Sequence, residues 1–242
     1  MTIIVCLVAF TLLSYFLSDY IKKYNRYVYL GCAAVSIVSI FHAILILNGY
    51  SIEYVPVLKQ IMNSIDSGAV GGSLFILVMY MGVMDMKYKI SKKLRRNRAK
   101  LSIIACIFTI PHNIHYFFAF LLNSKTIVSG SGLSLWTNLM MFASGVFAIS
   151  IMLPLFVTSF MHFRRKMKAM NWKSLQEFAY IFYAMVYIQV MMLYISRPDG
   201  WEKILNLVVY SLIFLSYTIL KVKSKLERRM ISKKEMGKVV NM

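Results

Sequence analysis

The stretch from Arg98 to Asn123, RAKLSIIACIFTIPHNIHYFFAFLLN, decides how the rest of the chain is read. After Lys100 it runs to Asn123 without one Lys, Arg, Asp or Glu. About 20 mostly apolar residues in a helix cross the ~30 Å hydrocarbon layer of a bilayer. The stretch therefore reads as a transmembrane helix entered through a basic flank. Similar apolar runs fall near residues 2–19, 28–49, 69–86, 134–160, 175–195 and 203–220, which with 101–123 makes seven. The expected fold is all-α: a polytopic membrane helical bundle of about seven transmembrane helices, forming one domain over residues 1–220 and ending in a basic cytoplasmic tail over 221–242.

Composition agrees with this pattern. Of 242 residues, 59% are hydrophobic and 15% charged, and the mean hydropathy is +0.64. A soluble domain carries about 25% charged residues. Seven spans and their loops use up the length, so no soluble catalytic domain is expected. The formal net charge of +19 arises from 28 Lys and Arg against nine Asp and Glu. Most of these basic residues lie in alternate connections, at 22–26, 87–100, 164–173 and the tail, whereas Lys59, Lys125, Arg197 and Lys203 occupy the other three. Because Lys and Arg collect in cytoplasmic loops, the charge is a topology signal rather than a nucleic-acid footprint. It predicts a multi-pass cell-membrane protein with its N-terminus outside and its C-terminus in the cytoplasm. The first run has no basic residue before it and no convincing small-residue cleavage site, so it reads as a retained anchor.

The outer connection at 50–68 carries Val55, Leu58, Met62 and Ile65 at helical spacing, the mark of a short helix lying in the interface. Ser129, Gly130, Ser131 and Gly132 read as a flexible outer turn. Cys6, Cys32 and Cys106 are far apart inside apolar runs, which excludes a disulfide framework or a cysteine-based metal motif. No P-loop, dinucleotide fingerprint, HExxH or GxSxG pattern occurs.

Chemistry is then left to the few polar side chains within spans, where ionisable groups are functional candidates by default. These are His42, His112 and His115, with no carboxylate expected in the middle of any span. Counting residues from the inner boundary at 1.5 Å each brings His42, His112 and Gln189 to one level, slightly outward of the midplane. Pro111 removes the helical partner of the Ile107 carbonyl just before His112. Two imidazoles facing each other across a bundle suit a haem iron.

From residue 94 onward the sequence resembles the ferric reductase-like transmembrane domain family, in particular its short bacterial b-haem members such as the membrane subunit of the methionine sulfoxide reductase system. The resemblance rests on the basic entry ending at Arg98, then Leu101, His112 and Tyr116. Further on come Leu153-Pro154-Leu155, Thr158-Ser159, Arg164-Arg165-Lys166-Met167, Trp172-Lys173, Leu175, Ala179-Tyr180 and Tyr183-Ala184. It implies a six-helix haem-binding core, here with one added N-terminal helix, and His112 as an axial ligand. Where the family usually has histidine this chain has Gln189, and where it often has another it has Gln176. The opposing ligand then falls to His42 or His115, or the iron keeps an open position, or the haem is lost. His112 and His42 are the candidate metal ligands, and His112, His42, His115 and Gln189 the candidate cofactor contacts.

Two functions compete on this reading. One is a membrane cytochrome b-like oxidoreductase component that has one haem b and no dehydrogenase domain of its own. It would take electrons from a quinol or a separate flavoprotein and pass them to an outer acceptor or partner reductase. The other is a haem-free membrane scaffold or small-solute permease that kept the fold.

Overall fold

Hydrophobic runs become helices throughout: among the described residues of this computed structural model, 2–50, 54–129 and 132–240, there is no strand. In chain order the helices are α1 (Thr2–Phe16), α2 (Ser18–Lys23), α3 (Asn25–Leu47), α4 (Pro56–Asp66), α5 (Ala69–Tyr80) and α6 (Lys89–Arg96). They continue with α7 (Arg98–Leu122), α8 (Ser124–Ser129), α9 (Gly132–Ser159), α10 (Met161–Lys166), α11 (Ala169–Ile195) and α12 (Trp201–Val240). The protein is an all-α, polytopic membrane helical bundle. Among the described residues five helices, α3, α7, α9, α11 and α12, are each long and apolar enough to cross a bilayer.

The third expected span takes a different form. α5 ends at Tyr80, and at 1.5 Å per residue its 12 residues cover only about 18 Å. It joins α4 in a bent pair whose axes turn by 60°, so the segment expected to lie flat in the interface is one arm of a broken span or of a re-entrant loop. Met62, Ser64 and Ile65 of α4 are buried, while Val55 and Leu58 stay exposed. The first apolar run is also divided: α1 has 15 residues, and the chain then turns at Leu17 into α2. The last helix runs on through the expected tail to Val240, since residues 221–236 contain neither Gly nor Pro and are rich in good helix formers. Gly130 and Ser131 of the expected outer turn lie outside the described residues.

α5 is apolar all round, and such a helix belongs at the centre of a bundle. Val70, Leu74, Phe75, Ile76, Leu77, Val78 and Met79 are all buried, with α1, α4 and α7 packed around it. Small residues allow the close approach to α7: a β-carbon on Gly71 would overlap Thr109 Oγ1. At its far end, Arg98 of α7 donates from Nε to the Val78 carbonyl at 3.2 Å, satisfying a terminal carbonyl that the helix itself leaves unpaired. Tyr80 Oη donates to the Ile213 carbonyl at 2.7 Å and ties α5 to α12.

α3 is amphipathic in the membrane sense. Ser36, Ser39, His42 and Ala43 turn inward, and Ile37, Val38, Phe41 and Ile44 face outward. Ser36 Oγ donates to the Ile107 carbonyl at 3.1 Å, the acceptor that Pro111 leaves without its helical donor. α7 therefore passes through Pro111 unbroken.

Candidate functional site

The break between α4 and α5 organises the site. Asp66 is the last residue of α4, and the final carbonyls of a helix have no intrahelical partner. The next two amides turn back to earlier acceptors, Ser67 to Asn63 and Gly68 to Ile65. That leaves the Asp66 carbonyl for His112, whose Nδ1 lies 2.9 Å away. A carbonyl only accepts, so Nδ1 carries the proton and the neutral ring has its lone pair on Nε2.

The carboxylate of Asp66 serves α3. Ser39 Oγ donates to Oδ1 at 2.5 Å and His42 Nδ1 lies 2.9 Å from Oδ2. Ser39 is fully buried and His42 almost so. One residue thus links α3, α4 and α7 through its side chain and its main chain together. In the sequence Asp66 reads as part of an outer loop, but the bent pair folds it against two helices.

Gly68 completes the turn with φ +77°, a left-handed conformation that glycine adopts at little cost. The His112 ring occupies the space where a side chain would be, since a β-carbon on Gly68 would lie 2.8 Å from Nδ1 and 2.9 Å from Cε1. Tyr116, one turn along α7, packs its ring 4.6 Å from that of His112.

His112 lies on the wall of a cavity of about 530 Å³ bounded by α5, α7, α9, α11 and α12, within the usual size of small-molecule and cofactor sites. Gln189 shares this wall, as do Phe75, Phe182, Val186 and Met152, while Arg197, Glu202 and Asn206 line it near the α11–α12 connection. Gly145 makes room for the amide of Gln189, whose Nε2 would stand 3.1 Å from a β-carbon there.

The four expected site residues are therefore placed differently. His112 and Gln189 line one cavity. His42 meets the same Asp66 as His112 but does not line that cavity, and its ring packs 5.2 Å from Tyr54. His115 has a buried Nδ1 without a hydrogen-bond partner and packs edge-on to Tyr116. Among the described residues no group of three or more His, Cys, Asp or Glu is arranged to hold a metal ion.

A porphyrin gripped by His42 and His112 from opposite faces does not fit this arrangement, because both rings reach toward one residue. His112 alone meets two requirements of a haem ligand. Its Nδ1 is anchored on a carbonyl, as metal-binding histidines commonly are, and its ring borders a cavity of suitable size.

The chain is similar to a protein of Treponema pallidum (strain Nichols). The two are 29% identical over 234 residues, and the relative is described as an uncharacterized protein. The match takes in 95% of this chain and 62% of the relative, so the chain spans about three-fifths of that protein's length. No family model and no solved structure matches.

Asp66, Ser39, Gly68 and Gly145 belong to the site although sequence reasoning did not single them out. The signal for Asp66 and Gly68 is an acidic residue and a Ser-Gly pair wedged between two apolar helical stretches. For Ser39 it is the spacing of Ser36, Ser39 and His42 along one face of an otherwise greasy helix.

Proposed function

We propose that this protein is a ferric reductase-like membrane electron carrier that holds one haem b through His112. The observation that carries this reading is the anchored imidazole of His112 on the wall of the large cavity inside the bundle. Bound there, the haem supplies a one-electron redox centre within the membrane. The Asp66 carbonyl keeps the His112 proton on Nδ1, leaving Nε2 as the ligating atom. Gly68 lets the ring lie against the helix break. Phe75, Phe182 and Val186 provide an apolar part of the cavity lining. Gln189 presents an amide in place of a second imidazole, a neutral hydrogen-bonding group rather than a strong ligand. His42 and Ser39 hold Asp66 in position from α3. Electrons come from a membrane quinol or a separate flavoprotein and leave to an outer acceptor or partner reductase, with the N-terminus outside and the basic turns in the cytoplasm.

The test is optical. Protein purified after haem-replete expression is expected to show a Soret band that shifts on dithionite reduction and is lost in His112→Ala. Gln189→His is expected to retain the haem or bind it more tightly. A colourless wild-type protein, or full haem content in His112→Ala, refutes the assignment. In that case the second reading, a haem-free scaffold or small-solute permease, takes its place. Its support is the polar part of the same cavity, where Arg197, Glu202 and Asn206 gather.

A further inference from the structure

Away from the cavity, Lys22 of α2, Lys93 and Arg96 of α6 and Lys100 of α7 converge at one end of the bundle. A buried polar contact fixes their frame. Asn97, fully buried between α6 and α7, donates from Nδ2 to the Ser18 carbonyl at 2.7 Å and lies 2.9 Å from Ser18 Oγ. Its Oδ1 accepts from Lys100 Nζ at 3.4 Å. Arg96 pairs with Asp19, and Lys93 Nζ lies 3.9 Å from the same carboxylate. Lys22 lies on α2 one turn after Asp19, the residue that Arg96 and Lys93 reach. Two cations thus share one carboxylate, with Lys100 on the adjoining Asn97, and among the described residues no other acidic side chain forms an ion pair with any of the four. Like charges held together in a fixed frame leave a repulsion that a bound anion relieves.

We propose that this cluster binds the phosphate of an anionic phospholipid headgroup. A lipid is favoured over a soluble phosphate because the same turn presents apolar and aromatic side chains outward. Phe16 is 71% and Tyr20 53% exposed, and Tyr20, Tyr24 and Tyr27 form a run of ring contacts. Aromatic side chains of this kind sit where headgroups meet acyl chains, and basic pockets between membrane helices there take anionic headgroups.

The test uses the full chain in phosphatidylcholine micelles or nanodiscs, to which phosphatidylglycerol, further phosphatidylcholine or inorganic phosphate is added. Readouts are the thermal midpoint and lipid adducts in native mass spectra. Phosphatidylglycerol is expected to raise the midpoint saturably and to form a retained adduct. Lys22→Gln with Lys100→Gln, which keeps the Arg96–Asp19 and Asn97–Ser18 contacts, is expected to weaken that binding about tenfold. The single variant Lys22→Gln, at an exposed position, is expected to weaken it in the same direction and fold normally. Lys166→Gln with Lys173→Gln is the charge-matched control and should leave binding within about twofold. Equal loss in the control, equal protection by inorganic phosphate, or equal retention of phosphatidylcholine overturns the proposal.

Discussion

Replacing Gly68 by alanine tests whether the helix break holds His112 where the site requires it. Two costs follow from the structure. The backbone at φ +77° disfavours any L side chain by about 1–2 kcal/mol. The new β-carbon also falls 2.8–3.0 Å from the His112 ring, against an ordinary carbon contact of about 3.5–4.0 Å. The ring must then retreat by several tenths of an ångström. The 2.9 Å bond from Nδ1 to the Asp66 carbonyl is thereby stretched beyond the useful range of about 3.2 Å. Leaving a buried polar group short of its partner costs about 1–3 kcal/mol, so the total is about 2–5 kcal/mol. Gly49 provides the control, since it has φ +83° and a β-carbon placed on it would meet nothing within 4 Å; Gly49→Ala incurs the backbone cost alone. Thermal or denaturant unfolding in detergent should rank Gly68→Ala well below Gly49→Ala. In a double-mutant cycle, His112→Ala should relieve part of the Gly68→Ala penalty, with a coupling of about 1 kcal/mol or more. Equal destabilisation by the two glycine substitutions, or strict additivity with His112→Ala, would refute the reasoning.

Three further outcomes are expected. Asp66→Asn keeps the main-chain acceptor for His112 but weakens the contacts to Ser39 and His42, and should cost about 1.5–3 kcal/mol in unfolding experiments. Ser36→Ala removes the donor to the Ile107 carbonyl above Pro111 and should cost about 1–2 kcal/mol, read from the same melts. Gly71→Ala should destabilise strongly by pushing α5 from α7, and Thr109→Ala in the same chain should recover part of the loss, because Thr109 Oγ1 is the group displaced.

The membrane class and most helix positions were legible because hydropathy reports directly on which residues tolerate lipid. α3, α7, α9 and α11 begin and end within a few residues of the apolar runs, apart from the earlier start of α11 at Ala169. Hydropathy does not report the direction of a helix axis, so α4 and α5 read as a surface helix and a full span rather than the two arms of one bend. The same blindness hid Asp66, whose role depends on a carbonyl freed by that bend and not on its residue type alone. His112 was recoverable from its depth and from Pro111. The rotation of α3 toward Asp66 instead of toward the cavity was not, because depth constrains height but leaves azimuth undetermined. The continuation of α12 was readable from the lack of helix breakers, although its charge drew attention to solvent.

The shortness of α5 bears on how the protein is made. Roughly 18 Å of helix with unpaired backbone groups at both ends is poorly suited to release into lipid by itself, since hydrocarbon offers those groups nothing. Its Val78 carbonyl finds a donor only when Arg98 has emerged, and its surface is covered only when α7 arrives alongside α1. Biogenesis is thus expected to hold this segment at the insertion machinery until α7 is synthesised, so that the central helix settles after a helix that follows it in the chain.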